Sequence, residues 1–109
     1  MATPKKFRSL PQFVTYEGHT YRLVFKKILF DENDGTELRG TVDTYNKVIE
    51  ISRRQSLSSQ WETIFHEFCH EFLVHRVELQ PDVEETICES VSRGLFQLFV
   101  DNGWLKIVK

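Results

Sequence analysis

"SSQWETIFHEFCHEFLVHR", residues 58–76, is the stretch on which the reading of the whole chain turns. Trp61, Ile64, Phe65, Phe68 and Phe72 recur at helical spacing, which predicts one α-helix with a single apolar stripe. Ser59 followed by Glu62 predicts its start as a capping box, whose hydroxyl and carboxylate satisfy amides that the first turn leaves free. At about 100° per residue the stripe centres near Phe72, and His70 lies roughly opposite it with His66 on the same side. The two histidines are one turn apart, so they stand one above the other. Glu67 falls on that non-core side as well. A solvated helix face would carry the same residues, so the distinction rests on what stands opposite them.

The pattern has a definite chemical use. Two imidazoles one turn apart can both reach a single Zn²⁺ at about 2 Å. A glutamate beside the first histidine then lies near the open coordination position, where it can take a proton from water. His66 and His70 are therefore candidate metal ligands, Glu67 the candidate catalytic base, and Zn²⁺ the expected cofactor.

Working outward, "FVTYEGHTYRLVFKKILF" (13–30) reads as two extended segments around Glu17-Gly18, dense in β-branched and aromatic residues. "DENDGTELRG" (31–40) is a polar loop with an Asp34-Gly35 turn signal. "GTVDTYNKVIEIS" (40–52) gives one or two strands, in which Ile49 and Ile51 form one face and Val48, Glu50 and Ser52 the other. On the other side, Gln80-Pro81-Asp82 breaks the chain and starts a second helix. Its predicted core stripe is Val83, Ile87, Val91, Leu95 and Leu98, and Asn102-Gly103 supplies the stop. "WLKIVK" (104–109) is expected to form a closing strand. The expected fold class is α+β: a small antiparallel sheet packed on a two-helix hairpin that carries the metal site. Residues 1–11, with Lys5, Lys6 and Arg8, are expected to be a flexible basic arm, and 12–109 a single domain.

The second helix supplies a third ligand. If the hairpin turns near Leu79, residues whose numbers sum to roughly 158 lie level with each other. Glu89 is then next to the level of the histidine pair, on the side of its helix away from Ile87 and Val91. Glu85 is about 6 Å off that level. Glu85 also has a competing task, since Asp82-x-x-Glu85 has the form of a helix cap. Glu89 is favoured, with Glu85 as the alternate ligand or as a hydrogen-bonding support for a histidine.

Composition narrows the remaining classes. With 109 residues there is room for one domain and one core. A net charge of −2 argues against a nucleic-acid footprint, and no apolar run approaches membrane-spanning length. No secretory-type N-terminus is visible, which makes the cytoplasm the expected compartment. Cys69 and Cys88 are too few for a disulfide framework and are read as reduced, buried thiols.

At these residues the sequence resembles the gluzincin metallopeptidases. "HEFCH" (66–70) matches HExxH, and eighteen residues separate His70 from Glu89, similar to the HExxH-x18-E spacing of part of that clan. The order of sheet, HExxH helix, loop and acidic helix over roughly residues 40–102 is similar to the minimal ImmA/IrrE-like and phage-encoded metallopeptidases. The resemblance implies a minimal zincin fold, with "EETICES" (84–90) as the segment that supplies the acidic ligand. It also implies peptide-bond hydrolysis on a protein or peptide substrate; so small a domain has little surface for a deep specificity pocket, which favours a narrow regulatory target. There are departures. Cys69 stands where Gly or Ala is usual, and Arg76 occupies the place of a third metzincin histidine. His75 is one residue short of that place and is read as structural or surface. The alternative is a zinc-binding regulator or inhibitor of zincin-like fold without turnover. Tyr45 and His19 are weak candidates for stabilising an oxyanion, and an extended substrate is expected to add to an edge strand near Tyr45 to Ile51.

Overall fold

The computed structural model describes residues 10–74 and 76–105. Six strands precede two helices: β1 (Phe13–Tyr16), β2 (His19–Lys26), β3 (Leu29–Phe30), β4 (Glu37–Leu38), β5 (Gly40–Asp43), β6 (Val48–Ser52), α1 (Leu57–Val74) and α2 (Pro81–Asp101). The domain is α+β, as the residue pattern predicts.

The sheet is mixed rather than wholly antiparallel. Its order is β1-β2-β6-β5, and β3-β4 form a separate two-stranded ribbon. The two local hairpins are antiparallel. Glu17 (φ 50°) and Gly18 (φ 77°) both take positive φ in the β1-β2 turn, the backbone that a tight two-residue hairpin requires. β6, however, inserts beside β2 and runs parallel to it, with Leu23 opposite Ile49 and Phe25 opposite Ile51. The β3-β4 ribbon and β5 carry the chain across before β6 enters, so this parallel pairing joins segments distant in sequence. As a result β6 is interior, and the edge strands are β1 and β5.

Alternation along β2 and β6 turns Tyr21, Leu23, Ile49 and Ile51 inward, where they meet Trp61, Ile64 and Phe68 of α1. Ile49 and Ile51 are fully buried. On the outer face Glu50 pairs with Lys26 at 3.0 Å, so that side of the sheet remains polar. α1 contacts β5 and β6 on one side and α2 on the other, which places it between the sheet and α2.

α1 begins differently from the sequence reading, and α2 begins at Gln80-Pro81 as that reading has it but without the Asp82-x-x-Glu85 cap. α1 starts earlier than Ser59: Ser56 Oγ accepts the Ser59 amide at 3.2 Å, and Ser59 Oγ bonds Gln55 instead. Glu62 accepts a hydrogen bond from Arg93 Nε at 3.2 Å, so no capping box forms. In α2, Pro81 occupies the first turn and Gln80 caps by backbone alone. Asp82 therefore lies inside the helix, and the Glu85 side chain is not engaged in a cap.

The rotation of α2 is the larger correction. Its packed residues are Cys88, Ser92 and Phe96, whereas Val83, Ile87, Val91 and Leu98 are exposed and Leu95 is half-buried. Glu85 and Glu89 lie on the opposite side of the helix from Ile87, so both sides cannot face α1. Turning the carboxylates toward the histidines turns the aliphatic stripe out. The helix stops at Asn102 and Gly103 (φ 71°). Leu105 folds back into the core, and Trp104 and Leu105 form a bend rather than the start of a strand. Leu10 already packs against the core; the rest of the expected arm before it, His75, and the remainder of the expected closing strand lie outside the described residues. No described helix is long and apolar enough to cross a membrane.

Candidate metal centre

His66 and His70 project from α1 into a cleft of about 380 Å³, walled by α2 and by the β4-β5 segment. Their rings are 4.9 Å apart, and the two Nε2 atoms face each other at 3.2 Å. Glu85 completes the group: one carboxylate oxygen is 3.0 Å from His66 Nε2 and the other 3.1 Å from His70 Nε2. These three residues are the metal-competent group among the described residues. Donors bound tetrahedrally at about 2 Å lie about 3.3 Å from one another, so the spacing fits a Zn²⁺-sized ion. Nitrogen and carboxylate oxygen are also the donors that ion takes.

Glu89 is adjacent but faces elsewhere. Its carboxylate is 3.6 Å from His66 Nδ1, the ring nitrogen that points away from the His70 and Glu85 donors. Arg39 holds it at 3.2 Å and Arg93 at 3.7 Å. The sequence estimate placed the hairpin turn at Leu79, but α1 ends at Val74 and α2 starts at Pro81, so the midpoint falls near Val77. That shift sets the midpoint of the histidines level with Ile87, midway between Glu85 and Glu89, and of the two it is the Glu85 carboxylate that reaches both Nε2 atoms.

A residue that sequence reasoning passed over is Glu84. Its carboxylate lies 2.6 Å from His70 Nδ1, so it fixes the orientation of that ring. The signal was present in the consecutive acids of "VEET", but which one faces α1 depends on helix rotation. Burial lowers the pKa of both histidines. For His70 the Glu84 hydrogen bond and the charges of Glu67, Glu85 and Glu84 outweigh it, and the net shift is upward. For His66, Glu85 and Glu89 oppose burial, His70 and Arg39 add to it, and the net shift is downward.

Glu67 is buried rather than solvent-facing, with 7% of its surface exposed. Burial pushes its carboxyl up to about 7; His70 opposes this, and Glu85 and Glu71 add to it. A carboxyl near neutrality is suited to accepting and returning a proton. Gly40 makes this burial geometrically feasible. A Cβ there would collide with Thr63 Cγ2 and come within 3.5 Å of Glu67 Cγ, so β5 lies close against α1 only because the residue is glycine.

Neither Tyr45 nor His19 lines the cleft, and Tyr45 is 92% exposed at a hairpin turn. The cleft arginines are Arg39 and Arg93. Cys69 and Cys88 are free and buried, and burial pushes both thiols up, Cys88 to about 12. Both are packing residues at the α1-α2 contact rather than ligands.

A sheet-backed helix carrying two histidines, with a carboxylate delivered from a second helix, defines a small α+β domain of metallopeptidase type. Residues 19–90, about two thirds of the chain, match the family described as the IrrE N-terminal-like domain, Peptidase M78, and the chain belongs to that family. No curated protein and no solved structure gives a significant match to it.

Proposed function

We propose that this chain is a zinc-dependent metallopeptidase that hydrolyses peptide bonds of a protein substrate, with His66, His70 and Glu85 as metal ligands and Glu67 as general base. The observation that carries this reading is the convergence of two imidazole Nε2 atoms, 3.2 Å apart, on the two oxygens of one carboxylate at 3.0 and 3.1 Å, beside a buried glutamate. When bound, Zn²⁺ supplies a Lewis acid that lowers the pKa of a water and polarises the scissile carbonyl. Glu67 takes the proton from the attacking water and returns it to the leaving amine. Glu84 holds the His70 ring in place throughout. Glu89 is engaged with Arg39 and Arg93, so the described residues would offer a metal three donors rather than four, which favours turnover over a closed structural site.

The substrate lies along β5, not β6. β6 is interior and has no free edge, which corrects the expectation of addition along Tyr45 to Ile51. The Ser52 amide bonds the Arg39 carbonyl, so Arg39, Thr41 and Asp43 pair with β6. The N–H and C=O of Gly40 and Val42 then point to the open edge and can pair with an extended peptide. Gly40 is also beside Glu67, so a peptide held there passes the base.

Replacing Glu67 with Gln tests the assignment. The variant is expected to bind one zinc per chain and to lose turnover of a cleavable protein by at least about a hundredfold. Full activity in that variant contradicts the proposed mechanism.

A further inference from the structure

The aliphatic stripe on α2 is not used by the metal centre or by the core. Val83, Ile87, Val91 and Leu98 are 44%, 36%, 43% and 47% exposed, and they share one helix face. The packed face of the same helix is Cys88, Ser92 and Phe96, on the other side. Gly94 lies within the exposed stripe, where an added Cβ would meet nothing within 4 Å. A mid-helix glycine costs about 1 kcal/mol relative to alanine, and no positive φ calls for one here. Together with Ser90 one turn earlier it forms a shallow notch flanked by large aliphatic side chains.

We propose that this face pairs with the same face of a second copy of the chain, as an antiparallel α2-α2 contact across a two-fold axis. The stripe is self-complementary when reversed about the point between Ser90 and Val91. Ile87 then falls over the Gly94 notch of the other copy, Val83 meets Leu98, and Ser90 meets Val91. Each large side chain meets a small one or an aliphatic one, as an isologous contact requires. Charge is compatible with this arrangement. From Ile87 to Leu98 the face itself carries no charged residue, and Glu84 at its margin is bound to His70. Arg93, on one flank, comes level with the segment between Thr86 and Ser90, so no acid is set against an acid.

The area sets the strength. The four side chains leave on the order of 300 Å² exposed per copy, so the stripe buries on the order of 600 Å² in a pair, about half of the lower limit for a standard interface. The dimer is therefore weak and forms at high protein concentration. Glu85 and Glu89 face away from the stripe, so pairing leaves both clefts open.

Sedimentation equilibrium of the zinc-loaded full chain, from about 5 μM to 1 mM, tests the proposal. The expected result is a monomer-dimer equilibrium that Ile87→Glu weakens at least about tenfold, with helix content and zinc affinity unchanged. Cysteine cross-linking tests the register. Val83→Cys mixed with Leu98→Cys is expected to form a disulfide-linked dimer, and Val83→Cys alone is not. A wild-type chain that stays monomeric at 1 mM, an I87E variant that associates as wild type does, or efficient cross-linking of Val83→Cys alone would overturn the proposal. In the first case the stripe belongs to a different partner or segment.

Discussion

The carboxylate of Glu84 lies 2.6 Å from Nδ1 of His70, while Nε2 of the same ring faces Glu85 at 3.1 Å. One acid orients the ring, and the next stands with it as another of the proposed ligands. Replacing Glu84 with Ala is expected to weaken zinc binding by about 10–100-fold, the usual effect of losing such a support. Competition titration with a chromogenic chelator reads this directly. Unchanged affinity would show that the Glu84 contact has no orienting role.

Glu85 and Glu89 separate cleanly by substitution. Glu85→Gln removes a charged donor from the group and is expected to abolish stoichiometric zinc. Glu89→Gln removes the partner of Arg39 and Arg93, an exposed network in which each pair is worth about 0–1 kcal/mol, and a charge 3.6 Å from His66 Nδ1 rather than a donor at Nε2. It is expected to retain the metal. Elemental analysis after gel filtration distinguishes the two, and the reverse pattern would make Glu89 the ligand.

At Gly40 the sheet lies too close to Thr63 of α1 to leave room for a Cβ. Gly40→Ala forces β5 away from Thr63 and Glu67, and overpacking of this kind costs about 1–3 kcal/mol. A chemical-denaturation midpoint is expected to fall accordingly, with activity reduced further than stability alone explains. An unperturbed midpoint would mean that β5 can shift without cost.

Protons compete with the metal for the two imidazoles. Zinc requires both rings unprotonated at Nε2, and the pKa of His70 is raised above its ordinary value in the metal-free chain, with burial opposing and Glu84 foremost in producing the rise. Affinity is therefore expected to be highest above that raised pKa and to fall steadily as pH drops through it. Calorimetric titration between pH 8 and 5, a range of about three units around the reference histidine pKa, measures the slope. A flat profile would exclude imidazole ligation.

Tyr21 donates to Glu71 Oε2 at 2.6 Å, and Thr44 Oγ1 donates to Oε1 of the same buried carboxylate. These bonds tie α1 to β2 and to the β5-β6 turn. Tyr21→Phe leaves one of the two donors missing and is expected to cost about 1–3 kcal/mol, readable as a lower thermal midpoint. Zinc stoichiometry is expected to be unaffected.

What could be read from the sequence follows from how local each feature is. The α1 histidine spacing, the Glu17-Gly18 turn and the Asn102-Gly103 stop depend on neighbouring residues, and the pattern displays them. The parallel β2-β6 pairing joins segments more than twenty residues apart, and no local alternation specifies it. Helix rotation was misread for a related reason. α2 carries apolar residues on two faces, and the regular aliphatic series Val83, Ile87, Val91 and Leu98 is the exposed one. Close packing on α1 instead uses Cys88 and Ser92, which are small enough to bring the helices together near the histidines. The choice between Glu85 and Glu89 depended on where each carboxylate points as well as on where the hairpin turns, since the observed turn leaves the two equally far from the histidine level. Arg76 and Val77 both donate to the Leu73 carbonyl and end α1 early, a detail of backbone geometry that residue spacing does not show.

The most direct test is a crystal structure of the zinc-loaded chain with anomalous data collected at the zinc edge. The account predicts one ion per chain, bound by His66 Nε2, His70 Nε2 and Glu85, with the fourth position open and the Glu67 carboxylate beside it. An ion held elsewhere, a site closed by a fourth protein ligand, or no ordered ion at all would contradict it.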